Sequence, residues 1–335
     1  MLSLLLFAFF LSVVLTGFIR RYALAQNVMD IPNHRSAHAV PTPRGGGVGF
    51  VMTLLIAIPC MHAYGFLTPE GSLALMSAGV FVATLGFLDD HGYLNIGLRL
   101  LGHAVASVLA LYWMKGFPSL VVCGYSLPHG GIMNIFGFFY FLWMINLYNF
   151  MDGMDGLAAS EAACVCLSAA LIYWLCGDTG LVVLPLVLAA SVLGFLMWNW
   201  PPARIFMGDA GSGFLGFIIA VLSLQATHMY PHLFWSWLIL LGVFIVDASY
   251  TILRRAYQRE KIYEAHSRHA YQCAGRYLKS HLHVTLSVIA INLCWLTPIA
   301  ILVGLNHLNG VLGLIVAYVP LLVLAIKLGA GRKRL

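Results

Sequence analysis

Long apolar blocks separated by short polar turns fill this chain from end to end. A helix needs about 20 apolar residues to cross the hydrocarbon layer of a bilayer. Eleven blocks approach or meet that length: 1–18, 46–65, 72–88, 97–114, 134–150, 156–176, 181–198, 211–227, 233–253, 283–304 and 311–328. Each predicts a membrane-spanning helix, so the expected fold is an all-α polytopic integral membrane protein. The longest turns, about 20–45, 115–133 and 254–282, are too short to fold alone. The chain therefore reads as a single transmembrane domain over 1–335, with a small hairpin expected in the 115–133 turn.

Composition sharpens this picture by exclusion. With 61% hydrophobic and 9% charged residues, the chain has too little polar surface for a soluble globular domain. The 18 Lys and Arg orient it: with the N-terminus outside, all but Lys115 fall at or near the cytoplasmic side. The expected topology is N-out and C-in. The net charge of +6 then reflects topology and contact with anionic membrane lipid, and gives no reason to expect nucleic acid. The first block lacks a basic leader and is followed by Arg20 and Arg21, so it reads as a retained span. Seven cysteines form no metal-ligand spacing.

The chemistry is concentrated in the acids. Of twelve Asp and Glu, five lie in three clusters: Asp89–Asp90, Asp152 with Asp155, and Asp209. A carboxylate beside a bilayer core is costly unless solvated, paired or bound to a cation. The clusters follow the third, fifth and seventh blocks, so parity brings all five to one face, the cytoplasmic one in this topology. Such convergence points to a divalent metal and phosphate chemistry, and disfavours a periplasmic hydrolase. Adjacent Asp89 and Asp90 repel unless a cation is near. Asn149, Asp152 and Asp155 are spaced by three, with Gly153 and Gly156 breaking the helix. Phe206 precedes Asp209 by three residues and can stack on a nucleobase or pack against lipid. PRGGG places Arg44 and Gly46 before the second block, where glycine N–H groups suit anions, although no Walker lysine follows. His266 and His269 have zinc-like spacing but lack a third ligand, and with Arg268 they suit a diphosphate better. Each cluster alone also fits a flexible entry, a helix end or a basic loop held by lipid.

Taken in order, PRGGG, LDD, NLYNFMDGMDG, FMGDAGS and the HSRH loop resemble the polyprenyl-phosphate N-acetylhexosamine-1-phosphate transferase family across roughly residues 30–275. The resemblance implies a bacterial inner-membrane enzyme with its active site in cytoplasmic loops. It would transfer N-acetylhexosamine 1-phosphate from a UDP-N-acetylhexosamine to undecaprenyl phosphate with Mg²⁺ or Mn²⁺, releasing UMP. It assigns Asp209 and Asn149 to metal, Asp155 and Phe206 to uracil, and Asp89, Asp90 and Asp152 to catalysis. Arg44, Gly46, His266, Arg268 and His269 become substrate contacts. YEAHSRHAYQ looks most like the branch that starts O-antigen and related surface polysaccharides. A homodimer is the assembly to test. The rival reading is a secondary transporter, whose site would lie nearer the midplane; Asp247 is the acid placed inside a block.

Overall fold

The structure, a computed structural model, describes residues 1–32, 40–122, 124–261 and 266–333. Part of the first loop and residues 262–265 of the HSRH loop lie outside that set. The helices are α1 Leu2–Ala25, α2 Val48–Ala63, α3 Pro69–Asp90, α4 Ile96–Trp113, α5 Gly131–Met151, α6 Leu157–Leu175, α7 Thr179–Asn199 and α8 Asp209–Met229. Then follow α9 Leu233–Leu240, α10 Gly242–Tyr257, α11 Ala270–Leu278, α12 His281–Gly304 and α13 Gly310–Lys327.

All eleven predicted blocks fall on helix. Among the described residues nine helices are long and apolar enough to cross a membrane, and α9 with α10 supplies another crossing bent by 71°. The remaining block, α2, is apolar but only 16 residues long. The chain is thus an all-α, multi-pass membrane protein. Lipid is the physical reason: backbone groups in hydrocarbon need internal partners, which a helix provides by itself.

The bundle is built around α8, which is almost wholly enclosed, whereas α1 and α13 turn most of their apolar surface outward. α3 reaches α8 closely because Gly86 faces its start; a Cβ there would stand 2.4 Å from the Asp209 carbonyl oxygen. α2 reaches it through Gly47, where a Cβ would lie 2.5 Å from Gly211 Cα. Two small ribbons complete the fold. β1 Met29–Asp30 pairs antiparallel with β2 Thr42–Pro43, closing the first loop so that Arg44 emerges beside α3 and α8. β3 Leu120–Val122 and β4 Tyr125–Leu127 form the hairpin expected in the 115–133 turn.

Candidate active site

The ends of α3, α5, α7 and α8 meet around a cavity of about 210 Å³. Arg99, in the first turn of α4, organises its acidic side. One guanidinium nitrogen, Nη1, donates to Asp89 Oδ2 at 2.8 Å and to Asp209 Oδ2 at 3.0 Å. Asn95 caps that turn, its Oδ1 accepting from the Leu98 N–H at 2.9 Å, which fixes where Arg99 starts. Asp90 does something different. Only 4% exposed, it accepts from the N–H groups of Asp209 at 3.0 Å and Ala210 at 3.2 Å, and so caps α8. Arg44 donates to the Asp90 carbonyl. The adjacent acids are thereby split between a cation and a helix start, which offsets their mutual repulsion.

Six predicted residues line the cavity: Arg44, Asp90, Asp152, Asp155, Phe206 and Asp209. Asp155 is tied on two sides, accepting from the Ala203 N–H at 3.1 Å and lying 3.3 Å from His281 Nδ1. Asp152 sits half-buried where α5 has ended. Burial, then the charges of Asp209, Asp90 and Asp155, push its carboxyl well above the usual carboxylate range. Asp89, Asn149 and Gly46 stand behind the wall. Asn149 Nδ2 donates to Ser212 Oγ at 3.3 Å, one turn beyond Asp209. The N–H groups of Gly46 and Gly47 donate to the carbonyls of Phe206 and Met207 at 2.9 and 2.8 Å, so they hold the Phe206 segment and are not offered to an anion.

The last loop's expected substrate contacts lie off the lining of this cavity. Among the described residues, none of His266, Arg268 and His269 lines the cavity. His269 is 2% exposed, with Nδ1 3.3 Å from Asp247 Oδ1. Arg268 pairs with Glu260, Nη1 to Oε1 being 2.9 Å. That contact, with the one from Arg255, holds Glu260 down at about 2. Burial, then the charges of His269, Arg255 and Arg268, push His266 down to about 3, so it is neutral at physiological pH. The physical reason is local: the buried acid of α10 and Glu260 claim the loop's donors. Among the described residues of 254–282, Gln272 and His281 reach the cavity.

The donor chemistry suits a hard cation. Five carboxylates gather with few counter-charges, and oxygen ligands are what Mg²⁺ and Mn²⁺ prefer. Among the described residues no three acidic, His or Cys side chains converge at ligating distance. That fits an ion held by one or two carboxylates and completed by substrate phosphate and water, the usual Mg²⁺ arrangement.

Comparison with known proteins bears on the same residues. The family model described as glycosyl transferase family 4 matches residues 72–227, the stretch carrying all five acids. A probable undecaprenyl-phosphate N-acetylglucosaminyl 1-phosphate transferase of Bacillus subtilis (strain 168) is 29% identical over 254 residues, covering 74% of this chain and 70% of that one. A phospho-N-acetylmuramoyl-pentapeptide-transferase of Streptococcus mutans is 27% identical over 260 residues, 72% of this chain and 75% of its own. Its namesake from Synechococcus sp. (strain RCC307) is 32% identical over 241 residues, 66% and 62%. The chain belongs to the polyprenyl-phosphate N-acetylhexosamine-1-phosphate transferase family.

Within this family 4 site, several residues escaped the sequence reading. Arg99, Asn199, Gln272, His281 and Asp30 all face or frame the acids. Arg99 was findable, since any charge at a span end in a chain with 9% charged residues calls for a partner. Asn199 accepts from the Gly156 N–H at 3.0 Å and donates to the Ile205 carbonyl at 2.9 Å, a bridging role no spacing announces.

Proposed function

We propose that this enzyme transfers N-acetylhexosamine 1-phosphate from a UDP-N-acetylhexosamine to undecaprenyl phosphate at the cytoplasmic face of a bacterial inner membrane. The products are undecaprenyl-diphospho-sugar and UMP, and the step opens the assembly of an O-antigen or related surface glycan. The observation that carries the reading is the convergence of Asp89, Asp152, Asp209, Arg99 and Arg44 around one cavity at the ends of apolar helices. Two anionic substrates, one lipid and one soluble, can meet only at such a boundary.

In the reaction an oxygen of the lipid phosphate bonds to the phosphorus that carries the sugar, and the bond from that phosphorus to the UMP oxygen breaks. A phosphate monoester has a second pKa of about 6, so the attacking group is already mostly dianionic at neutral pH and has little need of a base. Bound Mg²⁺ or Mn²⁺ would neutralise charge on the diphosphate, with Asp209 and Asp89 as its holders. Asn149 supports that side through Ser212. Arg44 faces the same cavity as a phosphate partner, Phe206 offers a ring for uracil, and Asp155 is braced to accept from the base. A transporter reading loses support from position, because these acids end helices and do not sit at mid-span.

The test is UMP release by the purified protein with undecaprenyl phosphate and a panel of UDP-N-acetylhexosamines. One donor should be turned over well. No UMP from any donor, together with uptake of a labelled solute by proteoliposomes, would replace this reading with transport.

A further inference from the structure

Asp247 lies inside α10, 4% exposed, yet its carboxylate is well occupied. It accepts from the N–H groups of Ala270 at 2.7 Å and Tyr271 at 2.9 Å and from Thr251 Oγ1 at 3.1 Å. Two backbone donors from the first turn of α11 on one carboxylate set both the position and the rotation of that short helix. The Tyr271 ring is thereby sent toward the end of α5. Its hydroxyl donates to the Phe150 carbonyl at 3.1 Å, one of the last carbonyls of α5 that no helical N–H can reach. Gly153 lies against the same hydroxyl. A Cβ on Gly153 would stand 2.2 Å from that oxygen.

One phenolic oxygen thus bonds to the chain before Asp152 and packs against it just after. Among the described residues no hydrogen bond reaches the Asp152 carboxylate itself, so the backbone turn sets its direction. We propose that Tyr271 is a positioning residue for Asp152: anchored through its own N–H by Asp247, it locks the turn at the end of α5 and aims the carboxylate into the cavity. The last loop therefore contributes to the reaction through the acid turn, across a contact between residues 121 apart in sequence. This inference rests on the transferase reading above.

The experiment is a double-mutant cycle read by kinetics and by hydrogen exchange. Tyr271→Phe should lower kcat roughly tenfold, within the range expected for a misplaced catalytic group, and leave KM for the UDP-sugar within about twofold. Gly153→Ala alone should be worse, because its new methyl meets the hydroxyl. The Gly153→Ala/Tyr271→Phe pair should recover part of the Gly153→Ala loss, since the obstructing atom is gone. Exchange should rise in the 150–156 segment of Tyr271→Phe and stay unchanged in 157–175. Losses that multiply in the pair, or unchanged exchange at 150–156, overturn the proposal. A wild-type protein silent on every UDP-sugar overturns the transferase reading instead, and exchange still decides whether the lock exists.

Discussion

Asp209→Asn removes a charge but leaves an amide oxygen that can still accept from Arg99, and the helix start is capped by Asp90 and not by Asp209 itself. UMP release should fall about a hundredfold or more, the size of a several-kcal/mol electrostatic contribution, with the melting temperature nearly unchanged. Near-normal Mg²⁺-dependent turnover would leave Asp209 as a helix-end carboxylate only. Asp89→Asn should be impaired at every pH, since the lipid phosphate is its own dianion; a rate that climbs to the wild-type value as pH rises would restore a base at Asp89. His266 carries a stability signature. Its folded pKa, about 3, lies below the ordinary value of 6.5. Its neutral form therefore supports the fold fully above pH 6.5, and that support declines as pH falls from 6.5 toward 3. Thermal melts from pH 7.5 to 5.5 should show a drop that is smaller in His266→Gln. The acids themselves were legible in the sequence because charge at a span end is expensive. Their partners were not: Arg99 and Asp209 are 110 residues apart, and no local pattern records that they share a hydrogen bond.

At the scale of elements, α2 and α8 cross at two facing glycines. Gly47→Ala would drive its methyl into the Gly211 backbone, which has no rotamer to yield. Loss of about 1–3 kcal/mol of stability is expected from overpacking, with activity falling too because the Phe206 segment hangs from the same loop. Gly131→Ala, with nothing within 4 Å of its Cβ, is the control and should melt like the wild type. Hydropathy located every helix except α11, since a run of apolar residues is all that a bilayer demands and Ala270–Leu278 is not such a run. It could not show that α9 and α10 bend by 71° where they meet, since the predicted block 233–253 runs through the break without interruption. Nor could it show where the HSRH loop would face, because the acid that claims His269 sits on α10 in mid-block and looked like an exception.

For the whole molecule, the proposed orientation places the 115–133 hairpin outside and the C-terminus inside. An amine-directed label confined to the cytosol that reaches Lys115, 74% exposed along its side chain, would reverse the topology and carry the site to the wrong compartment for a UDP-sugar. One further property follows from the nitrogen shared by Asp89 and Asp209. It joins α3, α4 and α8 with a charge that belongs to the chain, so the carboxylates are never left bare when ions are scarce. Chelation should then silence the enzyme without loosening it. Protein stripped with EDTA should keep its melting temperature within a few degrees and regain full rate on mixing with Mg²⁺, with no lag for refolding; in the cell, activity would follow the free-ion level from moment to moment while the protein itself persists.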